Sequence, residues 1–536
     1  MLYNLKWLKS GESFPPRSEA ARIDRYNQNA ALFEGEHFAD NEHGGVEMYR
    51  KCAQRISRVI GNFEDVISFP VLLNYQRLMT LKMADLVCGE YPSITGSNSF
   101  ENAAIQETRE YTDFDSKLYQ AVIDISRYGE AVRRVYLDSN NRYTFTNWDP
   151  REWYPIVSQD GTLTVLYHCL CWRENRSDNP NVPDWYLHVQ IHGTQPGEVG
   201  YYIQKTFKLD SFGGLIRQEL ESKKVSTGLK VCAIQHLKAF STTSSIYGYD
   251  DYMMIDSILS EIMTRIGQIS VILDKHADPN ITGPVTMLEH DERTGEYRLK
   301  TGKFFAVSNG ETPPSYMTWE GQLPSAFKQL EVLINQLYIL SEMGAALLGS
   351  TEGGGQAISG TAMRFKMVNP IAKARRISNS LTRTTKTLFA TLTADAEVSD
   401  EDIKKFKESN EELETTLPVP AKRISVLWYD GLPDDPRENI ENAKLATGAT
   451  KMMPLESALM EFFGKTQEEA LAWIDMLRKE SEANMSMIQS NTGEEDDPNH
   501  PGPQDGTGVN PQKKGSDTGL QSFASPSNKS TNGDNE

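Results

Sequence analysis

A chain of 536 residues with 38% hydrophobic and 24% charged residues exceeds the usual size of one domain, so two to four packed units are expected, and its formal net charge of −19 argues against a protein that binds free nucleic acid through its whole surface. Five scattered cysteines (Cys52, Cys88, Cys169, Cys171 and Cys232) are odd in number, form no disulfide framework and suggest a reducing compartment. No run of about 18 apolar residues occurs to span a bilayer, and the first seven residues lack the apolar core of a signal peptide, so a cytosolic or particle-borne protein with no membrane contact is expected.

Residues up to about 65 read as polar helix, and residues 69–92 as a helix with Val71, Leu72, Leu78, Leu81, Met83, Leu86 and Val87 at helical spacing, stopped by Gly89 and Pro92. A further helix over 115–128 ends at Gly129. Alternation then predicts strands over 131–137, 143–147, 152–157, 163–172, 185–192 and 201–209, a mostly antiparallel region with turns at 139–141 and 160–161. From Gly248 the period returns to that of a helix. Ile255, Ile258, Leu259, Ile262, Ile266, Ile269 and Leu273 line one face over 250–275, with Asp250 and Asp251 placed to cap its start. A short β insertion over 279–319 follows, and then a second apolar helix from Pro324 to about 348 carrying Leu330, Leu333, Ile334, Leu337 and Leu340.

Next comes the loop Gly349, Ser350, Thr351, Glu352, Gly353, Gly354, Gly355, Gln356, and after it a helix over 361–394. That helix carries Arg364, Lys366, Lys373, Arg375, Arg376, Arg383 and Lys386 against no acid, a segregation of seven positive charges in an acidic protein. Residues 395–416 are charged and read as helical or mobile, 423–428 as a strand, and 437–445, 454–463 and 466–487 as three helices. Residues 491–536 hold eight acids, three lysines and one aromatic, too little apolar surface to offset ordering, so a disordered tail is expected.

Each of these features admits two readings. The apolar helix faces suit a core within one chain or packing against a neighbouring copy. The glycine loop suits a surface linker or a channel lining that shifts as a polyanion passes. The basic helix can track phosphates or pair with acids of adjacent subunits, and the second is favoured for most of its charges. Catalytic motifs are missing. Gly464, Lys465 and Thr466 mimic the end of a phosphate-binding loop, but Leu459 stands where its first glycine belongs and the context is helical. His168, Cys169 and Cys171, with His188 and His192, form a conceivable metal cluster, yet Cys-x-Cys on a strand places both thiols on one face as small core residues. No catalytic, cofactor-binding or metal site is assigned.

The order of parts from about Tyr26 to Glu480 resembles the portal proteins of tailed double-stranded DNA bacteriophages, of the siphophage type. Several short motifs carry the likeness. They are Leu32-Phe33-Glu34-Gly35-Glu36-His37, the stretch 74–94 with its helix closing at Leu86-Val87-Cys88-Gly89-Glu90-Tyr91-Pro92-Ser93-Ile94, and Tyr128-Gly129-Glu130-Ala131-Val132 with Val135-Tyr136-Leu137-Asp138. To these add Trp148-Asp149-Pro150-Arg151-Glu152-Trp153-Tyr154-Pro155-Ile156, the stretch 359–370, and Val426-Leu427-Trp428 with Pro433-Asp434-Asp435.

The resemblance implies an α+β portal-type subunit assembling as a dodecameric ring. Residues 1–248 and 361–430 would form a helical and β wing, 249–276 and 323–347 the two stem helices, 277–322 a small β clip, 348–360 a tunnel loop and 431–489 an α-helical crown, with 490–536 as tail. Ile255, Ile258, Ile262, Ile266, Leu330, Leu333 and Leu337 would pack the stem, and an aspartate at Ile262 is expected to weaken assembly. The implied function is that of a virion protein and head-tail connector at one capsid vertex, non-enzymatic and without cofactor, through which DNA is packaged and ejected. Its implied partners are double-stranded DNA in the channel, the terminase large subunit, head-completion adaptor proteins, and the major capsid and scaffold proteins. An ATPase or nuclease of the packaging machinery, or another structural head protein, is the alternative.

Overall fold

A computed structural model gives the fold. It describes residues 13–38, 47–60, 72–179, 182–195, 197–211, 213–216, 220–277, 323–348, 364–399, 416–429, 436–448, 452–465 and 467–491, with residue 404 and short pieces between 281 and 316. The glycine loop 349–356 and the tail beyond 491 lie outside the described residues, as do most of 278–322 and 400–415. The chain divides into two compact units, Met1–Asp434 and Asp435–Glu536.

The first unit opens with five helices: α1 (Ala20–Glu34), α2 (Glu47–Ile60), α3 (Tyr75–Cys88), α4 (Ser99–Tyr111) and α5 (Phe114–Tyr128). Their ends follow from local chemistry. The Asn74 side chain accepts the Arg77 N–H and starts α3 there, several residues later than the apolar pattern suggests. Asn98 does the same for α4 by accepting from Glu101 N. Gly35 and Gly129 close α1 and α5 in the left-handed conformation. The pattern in the sequence misses α4, because its buried stripe includes the small Ala104 and the polar Thr108 beside Phe100 and Ile105.

The strands are β1 (Ser93–Thr95), β2 (Glu130–Leu137), β3 (Tyr143–Trp148), β4 (Trp153–Val157), β5 (Val165–Asn175), β6 (Trp185–Gly193), β7 (Tyr201–Lys208), β8 (Glu221–Ser226) and β9 (Ile234–Lys238). Consecutive strands β4 to β8 make a five-stranded antiparallel meander, and β3-β2-β9 make a second, three-stranded sheet. The predicted strand at 163 begins two residues late, since Leu163 takes a positive φ of 51° in the preceding turn. Strand β8, Glu-Ser-Lys-Lys-Val-Ser, is an exposed edge without apolar alternation, so it leaves no periodic signal.

Helices and one face of the small sheet share the main core, in which Phe114, Phe145 and Phe389 meet. Arg133 lies in that core, fully buried between the Phe114 and Phe145 rings, and burial pushes its pKa down to about 10. Cys169 and Cys171 pack with Leu187, Val189 and Ile191 on one face of the meander, and burial pushes both thiols up. They are core residues, on the opposite side of their strand from His168.

Two long helices follow, α6 (Asp256–Ala277) and α7 (Leu323–Leu340). Between them lie two antiparallel pairs, β10 (Ile281–Thr282) with β13 (Ser315–Tyr316), and inside it β11 (Leu288–His290) with β12 (Tyr297–Leu299). Helix α7 stops earlier than the apolar run predicts. Glu342 and Gly344 take positive φ of 59° and 67°, turning the chain into a one-turn helix, α8 (Gly344–Leu347). The basic helix is α9 (Val368–Leu392), preceded by a helical turn at 364–366 and ended by a short 3-10 turn, Thr393–Asp395. Strand β14 (Ser425–Leu427) pairs antiparallel with β1, Ile94 opposite Val426.

The second unit contains α10 (Pro436–Thr447), α11 (Leu455–Phe463) and α12 (Gln467–Asn491), close to the three predicted spans. Gly464 is the left-handed cap of α11, and Lys465 stacks over Trp473, its Nζ 5.0 Å from the ring centre. The apparent phosphate-loop ending is therefore helix punctuation.

Candidate functional site

The helices that flank the β insertion are anchored at their base by charges from distant parts of the chain. Helix α6 begins at Asp256, not at Asp250, so Asp250 and Asp251 do not cap it. Asp250 instead accepts the N–H groups of Tyr252 and Met253 in the turn before it. Arg25 on α1 bridges both carboxylates, donating from Nη2 to Asp250 and from Nη1 to Asp256, each at 2.9 Å. Asp256 also accepts from Gln76 Nε2 at 3.2 Å, and the same amide nitrogen donates to the Tyr49 hydroxyl at 2.7 Å. One buried carboxylate thus ties α1, α2 and α3 to the first turn of α6. Burial pushes the Asp256 carboxyl up, and Arg25 opposes that shift.

Asp251 turns the other way. It accepts from Ser126 Oγ at 2.6 Å and pairs with Lys373 Nζ at 2.7 Å. Lys373 is buried and also donates to the Ser341 carbonyl, which sits just past α7. Arg376, one turn on, pairs with Glu342 and lies over Phe240. Two of the seven basic residues of this helix are therefore structural bolts between α9 and the ends of the two long helices. Arg364, Lys366, Arg375 and Arg383 are exposed. Among the described residues Lys366, Arg375 and Arg383 form no ion pair within the chain.

The apolar residues divide in the same way. Ile255, Ile262 and Leu337 are fully buried in the first unit's own core, and Ile258, Ile266, Leu330 and Leu333 pack against that core partly covered. An aspartate at Ile262 would thus break the protomer, not a contact with a neighbour, because α2 and α7 already cover that face of α6. The surplus apolar surface lies elsewhere: Phe327, Val332, Ile339 and Leu340 on α7 and Leu273 on α6 are exposed, Ile339 at 62%.

Between the two sheets lies a layer of aromatic and imidazole rings. Trp153 Nε1 donates to His168 Nδ1 at 3.1 Å, and His236 contacts Glu130 at 2.7 Å. His192 faces His168 across β5 and β6. Burial pushes His168 and His192 down to about 3, reinforced by His236 at the first and Arg134 at the second. Between the usual 6.5 and about 3, the unfolded chain binds protons here that the folded chain refuses. Stability should therefore fall as pH drops through that window. Urea midpoints measured across it should fall less steeply for His168→Gln than for the wild type, because one refusing imidazole is gone.

No group of three or more metal-ligating side chains gathers among the described residues, and none of their helices is long and apolar enough to cross a membrane. The first unit is thus an α+β assembly in which two bolted apolar helices flank a β insertion and keep exposed apolar faces. Residues 18–186 match the family described as phage portal protein, SPP1 Gp6-like. No curated protein matches it. Among solved structures, a chain of the "Virion of native gene transfer agent (GTA) particle" is similar at 11% identity and a TM-score of 0.39, over 76% of this chain and 92% of that one. A chain of the "Neck of native GTA particle computed with C12 symmetry" is similar at 10% identity and a TM-score of 0.34, over 72% and 89%.

Sequence reasoning placed the long helices and the charge segregation of α9, but the bolts Arg25, Asp251 and Glu342 carried no local signal. Residues 349–356, expected to form a tunnel loop, lie outside the described residues.

Proposed function

We propose that this chain is the subunit of a phage portal ring, a conduit at one capsid vertex through which DNA is packaged and ejected. One observation supports this reading most: α7 leaves Phe327, Val332, Ile339 and Leu340 exposed, while the opposite helix faces are already filled, in a chain whose residues 18–186 match the portal family. A closed ring covers such faces with the neighbouring copy and leaves none unpaired. A dodecamer is the expected assembly. The β insertion between α6 and α7 would dock the terminase large subunit and then head-completion adaptor proteins, while capsid and scaffold proteins surround the wing. Arg364, Lys366 and Arg375 would serve the channel or pair with acids of the next subunit, and Gly349–Gln356 would line the tunnel.

Native mass spectrometry with negative-stain microscopy tests this on two variants. Ile339→Asp should keep a folded protomer and lose rings. Ile262→Asp should lose the protomer itself, seen in its circular dichroism. Rings formed as well by Ile339→Asp as by the wild type would remove α7 from the interface.

A further inference from the structure

The two sheets of the first unit enclose, beside the outer half of β2, a cavity of about 210 Å³ lined by Arg134, Tyr136, His192, Tyr202, Ser226 and Thr227, among others. Its polar walls are incomplete. The Arg134 guanidinium carbon lies 5.6 Å from the ring centres of both Trp148 and Tyr202, held between aromatic faces; it hydrogen-bonds the Tyr202 hydroxyl, and no carboxylate among the described residues pairs with it. His192 is 1% exposed and stacks on Tyr202 with ring centres 4.7 Å apart. Neither of its ring nitrogens has a hydrogen-bond partner among the described residues. Thr227 Oγ1 accepts the Leu229 N–H, which leaves its own hydroxyl proton to donate.

A half-buried cation without a counter-ion and a buried imidazole N–H without an acceptor are each costly, and here both line one space. What would satisfy them is a compact group with several acceptor atoms and negative charge. The volume decides the size, since pockets for drug-sized ligands start near 300 Å³ and this one suits a few-atom ion with water.

We propose that this cavity binds a small oxyanion from solution, of the carboxylate, sulfate or phosphate type, held by Arg134 and an imidazole N–H of His192 with Thr227 at its rim.

Arginine-selective dicarbonyl labelling of the full-length chain tests it, with the Arg134 adduct quantified by peptide mass spectrometry. Acetate, sulfate or phosphate would be exchanged for chloride at constant ionic strength, with exposed Arg383 as internal control. At an anion concentration ten times the dissociation constant, Arg134 labelling should slow roughly tenfold while Arg383 is unchanged. His192→Phe should raise the concentration needed for half protection by about tenfold, the loss of one hydrogen bond to a charged group. Wild-type protection is decisive even if that variant fails to fold. Equal labelling with and without anion would overturn the proposal, as would an Arg134 that never reacts, since a closed cavity exchanges no ligand. Protection that depends on protein concentration but not on added anion would assign the acceptor to a second molecule's carboxylate, and that too would overturn it.

Discussion

Gly248→Ala should cost the first unit at least about 3 kcal/mol, an overpacking penalty with no side chain able to yield. A Cβ at Gly248 would lie 1.9 Å from the Gly129 carbonyl oxygen and 2.7 Å from its carbon. The clash is backbone on backbone. Neither segment can retreat, because the Asp251 N–H donates to the Ser126 carbonyl at 3.0 Å and the Asp251 carboxylate holds Ser126 Oγ. Gly129 is equally fixed, since it closes α5 at φ 81° and a Cβ there would meet the Gly248 carbon and Tyr249 nitrogen at 2.6 Å. Denaturant unfolding of the variant, followed by circular dichroism, gives the loss directly. A midpoint unchanged from the wild type would mean that the crossing of these two backbones is looser than described.

Arg25→Met should be of similar size, about 3–5 kcal/mol at neutral pH, the usual cost of removing one partner from a buried charge network. Arg25 is the shared cation of Asp250 and Asp256, whose side chains are 9% and 5% exposed. Without it, burial drives the Asp256 carboxyl further up. The folded variant then holds a proton that the unfolded chain releases, so its deficit at pH 7 should shrink as pH falls towards the ordinary carboxylate range. Unfolding midpoints of the two proteins at pH 7 and pH 5 give the comparison. A gap that stays constant with pH would show that Arg25 acts through packing and not through charge.

Much of this could be read from residue order. Apolar residues recurring at helical spacing placed the two long helices, because a face of Ile and Leu must be buried whatever covers it. Gly129 announced the end of α5, and the run of basic residues without an acid marked α9. Strands β2 to β7 were legible because one or both of their faces exclude water. Strand β8 was not, because both of its faces lie near solvent, and α4 was not, because Ala104 and Thr108 weaken its stripe. The pairing of β1 with β14 joins short segments far apart in the chain, and neither carries a mark of its partner.

Residue order alone fixed most of the helices and strands, the concentration of positive charge on one helix, and the two apolar helices that enclose a β insertion. Those are local properties, set by periodicity, turn chemistry and composition over a few turns of chain. Which charges and which apolar residues remain available is settled by packing between distant segments. Lys373 and Arg376 are consumed as bolts to Asp251 and Glu342, and Ile262 is consumed by the protomer's core, while Ile339 and Arg375 stay exposed. Ile262 and Ile339 are the same residue type in the same kind of helix. What separates them is the three-dimensional placement of α2 and α7, which no local pattern encodes, because burial depends on partners that come from elsewhere in the chain.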